Sequence, residues 1–220
     1  MIDHTLLASE ASAEEIIQLC REAHAWGCAA VCVLPNRVAL ASETLAGLGS
    51  KVEVCTVAGF PLGVSHSQVK ALEAEMAVRD GAMEVDMVIN VADLQEGKDD
   101  DVCADIAAVR LACAGATLKV ILETALLDKE EIIRGCNLAK RAGADWVKTS
   151  TGMHKAGGAS LEAVTLMRNT VGDHLGVKAS GGVRTRDLAL DMVAAGATRL
   201  GTSATREILR GELSDIELEI

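Results

Sequence analysis

The sequence predicts an α/β fold, a single (β/α)8 TIM barrel that occupies residues 1–220. Short apolar segments typical of strands alternate with amphipathic helical segments, and the pair occurs eight times. Alternating strands and helices imply a parallel sheet, and eight such units close into a barrel. A recurring glycine and small apolar residue mark where helices should end, at Gly27, Gly81, Gly115, Gly143 and Gly196.

An open, doubly wound sheet is the alternative fold. Such sheets usually have about five to seven strands, and no GxGxxG segment follows the first strand of this chain. With 220 residues, 50% of them hydrophobic, the chain can bury one sizeable core. The closed barrel is therefore the preferred prediction.

The first half of the chain contains four predicted strands, at about 2–5, 29–33, 52–57 and 83–89. Ser12 and Glu15 form a capping box that begins the first helix. Pro35 and the following asparagine end the second strand, and a short helix over 37–45 follows. The third helix is expected over 65–80, with an apolar stripe facing the core at Val69, Leu72 and Met76.

The second half contains four more strands, at 118–122, at the segment ending in Lys148, at the segment carrying Lys178, and at 198–201. The acidic run at 99–101 is expected to be a solvated helix start. Asp128, Ser160 and Thr185 are expected to begin the later helices as N-terminal caps. A last helix is predicted over about 204–209.

Composition excludes several classes of partner. A net charge of −11 argues against nucleic acid, which requires a basic face. No run of about 18 apolar residues is present, so no membrane partner is expected. The first residues lack a secretion signal, and the seven cysteines form no CxxC pair, which favours reduced thiols and a cytoplasmic location. The five histidines are dispersed, so we expect neither a metal nor another cofactor.

Two lysines stand at the ends of successive predicted strands. Lys148 and Lys178 each follow a short apolar strand and precede a loop of small, polar residues. Neighbouring strands of a parallel sheet would place the two amines close together. Repulsion between them, together with partial burial, would favour the neutral amine, the form that attacks carbonyl groups.

Further charged residues share this end of the predicted barrel, where active sites of such barrels lie. Asp86 shares a strand face with Glu84 and Val88, while the intervening residues face the helices. We expect the charged side chains to converge in the barrel mouth, from Asp3, Asp86, Lys119, Glu123, Lys148 and Lys178. A purely structural ion-pair network is the alternative interpretation, and the residues alone leave it open.

Two glycine-containing loops predict a phosphate site. Gly181 and Gly182 follow the seventh strand, and Gly201, Thr202 and Ser203 end or follow the eighth. Backbone amides at this position bind phosphate in many barrels. A tight turn into the helix capped by Thr185 would also explain the glycine pair.

Taken together, these segments resemble the deoxyribose-phosphate aldolase family, a class I (Schiff-base) aldolase family on the TIM-barrel fold. The resemblance spans nearly the whole chain in order, and its specific motifs are Val147-Lys148-Thr149-Ser150-Thr151-Gly152 and Val177-Lys178-Ala179-Ser180-Gly181-Gly182. Further matches are residues 2–7, 84–90, 118–124 and 199–203.

The resemblance implies a reversible cleavage of 2-deoxy-D-ribose 5-phosphate into D-glyceraldehyde 3-phosphate and acetaldehyde, without a metal. It implies that Lys148 forms the Schiff base, that Lys178 lowers the pKa of Lys148, and that Asp86 relays protons with Lys178 and a water. The substrate and phosphate would be bound by a set of small residues near the lysines, namely Thr151, Gly152, Gly181, Gly182, Gly201, Thr202 and Ser203.

Two departures from the family pattern bear on activity. Met153 stands where many members have phenylalanine and some have lysine. Some members end in a tail bearing a tyrosine that assists proton transfer, whereas this chain has no tyrosine and ends at 217–220 without one. We therefore expect no such assistance from residues 1–220.

Two other functions are compatible with a phosphate-binding barrel. A sugar-phosphate isomerase or epimerase would use the same loops without needing two strand-end lysines. A non-catalytic sugar-phosphate binder would have no reason to gather Lys148, Lys178 and Asp86. The sequence leaves the oligomeric state open, with a homo-oligomer as one outcome.

Overall fold

A computed structural model of the chain describes residues 1–210, and these form a closed barrel of eight parallel strands in sequence order. The strands are β1 Ile2–Leu6, β2 Ala30–Val33, β3 Glu53–Ala58, β4 Glu84–Val88, β5 Thr117–Ile121, β6 Trp146–Lys148, β7 Gly176–Ser180 and β8 Arg199–Thr202. The barrel closes where β1 pairs with β8, with Asp3 opposite Gly201. The predicted fold is confirmed. The tail at 217–220 lies outside the described residues.

The helices surround the barrel. They are α1 Ala13–Ala25, α2 Val38–Gly47, α3 Ser67–Arg79, α4 Val91–Gln95, α5 Asp99–Ala112, α6 Lys129–Arg141, α7 Leu161–Val171, α8 Arg186–Ala194 and α9 Thr205–Leu209. Ser12 and Asp128 each form the predicted capping box, and Ser160 and Thr185 accept hydrogen bonds from the first turns of α7 and α8. The acidic run begins α5 as expected, but α4, which precedes it, was not predicted.

Strand alternation divides the side chains as the pattern predicts. Val85, Val147 and Val177 point outward and pack with the helices in the main apolar core. The charged residues between them point into the barrel. Because the alternate residues meet two different environments, a strand of only three to five residues can serve both the core and the site.

The orientation predicted for α3 is wrong. Val69, Leu72 and Met76 are 48%, 54% and 44% exposed, so this apolar stripe faces outward. The buried face instead carries Lys70, Ala74 and Ala77, which pack where α3 meets β3, β4 and α5. Lys70 lies on the face opposite to the predicted apolar stripe, and its ammonium is satisfied inside the protein.

Lys70 explains this reversal. Its Nζ donates to the backbone oxygen of Val88 at 2.9 Å and to Asp105 Oδ2 on α5 at 2.6 Å. A buried ammonium is tolerated when it is paired and hydrogen-bonded in this way. Its alkyl stem fills the space beside Gly59, where an added Cβ would lie 2.9 Å from Lys70 Cε.

No helix within residues 1–210 combines the length and the apolar character needed to cross a membrane.

Candidate active site

A cavity of about 460 Å³ opens at the carboxyl ends of the strands. It brings together most of the residues predicted from the sequence. Those that line it are Lys148, Thr151, Gly152, Gly181, Gly182, Gly201, Thr202 and Ser203. Asp86 and Lys178 lie beneath its floor, where both are buried.

The Asp86 carboxylate is the centre of the site. Lys148 Nζ and Lys178 Nζ both donate to its Oδ2, at 2.8 and 2.7 Å, and Lys119 Nζ donates to Oδ1 at 2.9 Å. Burial alone would raise the pKa of Asp86, but the three ammonium groups outweigh it and hold that pKa well below its usual range. The carboxylate is therefore a fixed anion that gathers three amines.

The two strand-end lysines are as close as the sequence suggested. Lys148 and Lys178 are direct register partners on the adjacent strands β6 and β7. Both side chains point inward, because they reach the same oxygen of Asp86. The β6–β7 pairing thus juxtaposes the two amines.

A second layer of charge lies below Asp86. Asp3 pairs with Lys178 and with Arg199, whose Nη1 is 2.6 Å from Asp3 Oδ1. Glu84 pairs with Lys119 and with Arg199, whose Nη2 is 3.1 Å from Glu84 Oε1. Arg199 also lies over the Trp146 ring at 5.2 Å from its centroid, so the guanidinium is held on three sides.

Sequence reasoning missed Arg199 as part of the site. Arg199 begins β8, at the end of the strand opposite to the cavity, whereas the predicted site residues stand at or near the carboxyl ends of the strands. The sequence does contain an indication of this placement, because Arg199 and Gly201 are two residues apart on one strand and therefore share a face.

Opposite charges are interleaved inside the barrel. Among the described residues, four cationic side chains contact three buried carboxylates, those of Asp3, Glu84 and Asp86; the cations are Lys119, Lys148, Lys178 and Arg199. Glu53 on β3 adds a fourth carboxylate beside Arg199 and Lys119, and burial and a hydrogen bond with Glu84 raise the pKa of Glu53. Each charge of the network is therefore close to an opposite charge.

Three of the four cations are held in the charged form. Burial opposes the charge of Lys178, but the Asp3 and Asp86 carboxylates outweigh it and raise the pKa of Lys178. Burial likewise opposes the charges of Lys119 and Arg199, and carboxylates again raise both pKa values. Among these four, Lys148 is the one whose side chain borders the cavity.

Glycine makes room for the side chains of the network. A Cβ at Gly201 would lie 2.9 Å from Lys178 Cε, so β8 must carry no side chain there. A Cβ at Gly176 would lie 2.1 Å from the Trp146 ring. Gly201 thus has a packing role beside Lys178 in addition to its place on the cavity wall.

The loop after β7 has an unusual backbone. Gly181 and Gly182 both have φ of +84°, a conformation that other residues adopt at a cost. Gly181 also packs against the backbone of Gly158 and Gly152. A Cβ at Gly182 would meet nothing within 4 Å, so this residue faces open space.

Arg184 is a cationic residue of this loop that also lines the cavity. It was not among the site residues predicted from the sequence. Arg184 is exposed near Gly182, so its guanidinium places positive charge where an anion would enter the cavity.

Two candidate binding threonines have their hydroxyl hydrogens engaged. Thr151 Oγ1 donates to the Glu123 carboxylate and accepts from the Met153 N–H at 3.1 Å. Thr202 Oγ1 donates to the Val183 oxygen at 2.7 Å. Neither hydroxyl has a proton left to donate to a phosphate, so their contribution to binding would come from other atoms.

Cysteine and carboxylate groups also lie together in the barrel. Ligand atoms of Cys32, Cys55 and Asp86 lie within 4.8 Å of one another, as do those of Asp3, Cys55 and Glu84. The carboxylates in both groups are already paired with lysine or arginine, whose charges oppose a metal cation at the same place. Cys32 is buried and faces this charged interior.

Comparison with known proteins identifies the family. A model of the DeoC/LacD family aldolases matches residues 1–211. A deoxyribose-phosphate aldolase of Kocuria rhizophila is 54% identical over 212 residues, covering 96% of this chain and 94% of that protein. One of a Geobacillus species is 53% identical over 216 residues, covering 98% and 96%.

The fold agrees with a solved structure. The deoxyribose phosphate aldolase of Aeropyrum pernix superposes with a TM-score of 0.88 at 36% identity, covering 97% of this chain and 89% of that chain. The structure is described as tetrameric.

Proposed function

Because this chain belongs to the DeoC/LacD family of aldolases, we propose that it cleaves 2-deoxy-D-ribose 5-phosphate reversibly into D-glyceraldehyde 3-phosphate and acetaldehyde through a Schiff base. The observation that carries this proposal is the Lys148 amine, which borders the cavity and donates to Asp86, a carboxylate that Lys178 also contacts. An isomerase or epimerase would have no use for an amine in that position.

Lys148 is the nucleophile. Its neutral amine attacks C1 of the open-chain sugar, and loss of water gives an iminium ion. A base takes the proton of the C3 hydroxyl, the C2–C3 bond breaks, and its electrons pass to the iminium as an enamine. Glyceraldehyde 3-phosphate leaves, the enamine carbon is protonated, and hydrolysis releases acetaldehyde and the amine.

Lys178 and Asp86 prepare this chemistry. Lys178 stays charged because Asp3 and Asp86 raise its pKa, so it opposes a second positive charge on its neighbour Lys148. Asp86, bonded to both amines, is placed to relay protons between them and a water.

The phosphate is bound by the loops after β7 and β8. Gly182 has an unobstructed face on the cavity, Arg184 supplies a cation, and Ser203 borders the same space. Backbone amides of glycine can approach a phosphate closely because no Cβ intervenes. The reaction requires no metal or organic cofactor, because the iminium ion that forms on Lys148 accepts the electrons of the C2–C3 bond.

We place the protein in the cytoplasm. All seven cysteines are free thiols, which suits a reducing compartment. A sugar phosphate is also an intracellular metabolite by its chemistry.

Replacing Lys148 with alanine should abolish both cleavage and trapping. Acetaldehyde and borohydride should add one ethyl group to the wild-type protein at Lys148, as mapped by peptide mass spectrometry, and add none to Lys148→Ala. Lys155→Ala removes an exposed lysine of the following loop and should be trapped like the wild type. An adduct at Lys178 or Lys119 would contradict the assignment of the nucleophile.

Replacing Lys178 with leucine should shift trapping to higher pH, because the positive charge that opposes protonation of Lys148 is lost. The measurement is the rate of acetaldehyde trapping by cyanoborohydride across a pH series. Lys70→Met breaks another buried lysine–carboxylate pair outside the barrel and controls for lost stability. An unchanged pH profile in Lys178→Leu would contradict this role and would leave Lys178 with a structural role only.

Replacing Gly182 with valine should raise KM for the phosphorylated sugar by about tenfold, because bonds to a charged group are lost. Cleavage of unphosphorylated deoxyribose should change little. Gly115→Val is the matched control, since Gly115 also has positive φ (+92°) and open space but precedes β5 at the opposite end of the barrel. Equal losses for both sugars would contradict a phosphate site here.

We also propose that the chain forms a homo-oligomer through the outward stripe of α3. The relative from Aeropyrum pernix is described as tetrameric, and an exposed apolar stripe is typical of an interface. Light scattering should show an oligomer that Leu72→Glu weakens. Leu111→Glu, at a leucine that is 79% exposed on α5, should leave it intact. A monomeric wild-type protein would contradict the proposal.

A further inference from the structure

Glu123 has the only left-handed non-glycine backbone within residues 1–210. Its φ and ψ are 57° and 58°, and it lies two residues after the end of β5. Glutamate gains nothing locally from this conformation, which glycine and asparagine adopt more readily. Such a residue persists only where the surrounding structure holds it, and it commonly marks a functional position.

The Glu123 side chain is held by the loop that follows the nucleophile. The carboxylate is 4% exposed, and its Oε2 accepts from the Thr151 N–H at 3.2 Å and from the Thr151 hydroxyl. The hydroxyl in turn accepts from the Met153 N–H, so it must donate its own proton to Glu123. One carboxylate oxygen therefore fixes Thr151 twice.

The residues on either side of Glu123 form backbone hydrogen bonds with the segment that ends β6 and begins the loop after it. Leu122 N donates to the Lys148 oxygen at 3.0 Å, and Thr124 N donates to the Thr149 oxygen at 2.9 Å. The chain from 122 to 124 thus contacts Lys148, Thr149 and Thr151 in turn. Because β6 has only three residues and ends at Lys148, these contacts hold the segment just where the strand stops.

We propose that Glu123 is a positioning residue for Lys148. Its left-handed backbone turns the carboxylate toward Thr151, and the bonds to Thr151 hold residues 148–151 so that the amine meets the carbonyl at a constant distance and angle. This inference rests on the proposed function, since it assigns Lys148 the nucleophilic role. Small displacements of a nucleophile lower reaction rates strongly.

The test is the rate constant for trapping Lys148 with acetaldehyde and cyanoborohydride, measured on folded protein. Glu123→Ala should lower the maximal trapping rate by about tenfold or more, with little change in the acetaldehyde concentration for half-saturation. Glu123→Gln should restore most of the rate, because one carbonyl oxygen can accept both bonds from Thr151. Glu123→Gly should be as slow as Glu123→Ala but melt at a higher temperature, because glycine tolerates the left-handed backbone.

Asp128→Ala is the matched control. It removes a carboxylate that caps α6, away from the cavity, and should be trapped at the wild-type rate despite a lower Tm. If Glu123→Ala does not fold, Thr151→Val carries the test, since it removes the hydroxyl bond to the same carboxylate and acetaldehyde has no phosphate for Thr151 to contact.

Wild-type trapping rates in Glu123→Ala, or in Thr151→Val where that variant carries the test, would overturn the proposal. An equal loss in Glu123→Gln and Glu123→Ala would also overturn it, because charge rather than hydrogen bonding would then be responsible. Absence of a wild-type adduct at Lys148 is a different result, since it would refute the proposed function itself.

Discussion

A single buried carboxylate, that of Asp86, organises the interior of this barrel. It accepts hydrogen bonds from lysines on β5, β6 and β7, three strands that follow its own strand in order. A buried ammonium without such a partner would lower the free energy of unfolding by several kcal/mol, because its charge would be removed from water without compensation. The lysines therefore depend on Asp86, and Asp86 depends on the closure of the barrel that brings them to it.

The ion-pair network continues from Asp86 toward the amino ends of the strands. Arg199 on β8 bridges Asp3 on β1 and Glu84 on β4, across the strands that close the sheet. A charged interior of this kind is stable only if each member has partners, and here every carboxylate contacts at least two cations. This arrangement is incompatible with shifting one strand by a residue, because inward charges would then face the helices.

The cavity above this network is built from a different kind of element. Its walls are loops with left-handed residues, at Gly152, Gly181, Gly182 and, beside it, Glu123. Glycine allows Gly152 and Gly181 to pack against each other and leaves Gly182 open to the cavity, whereas the Glu123 carboxylate is bound by Thr151. The rigid barrel thus supplies the charged groups, and the constrained loops supply the shape around them.

The sequence by itself determined the eight alternating units, the helix caps at Ser12 and Asp128, and the inward placement of Lys148, Lys178 and Asp86. These follow from local periodicity and from cap chemistry, which act over a few residues. Only the tertiary structure decided which face of α3 is buried, because Lys70 finds Asp105 from a helix 35 residues away. The same holds for Arg199, whose partners lie 196 and 115 residues distant, and for Glu123, whose left-handed backbone depends on a threonine 28 residues later. Such long-range pairings leave no periodic trace in the chain, because each residue type is compatible with many environments until folding selects its partner.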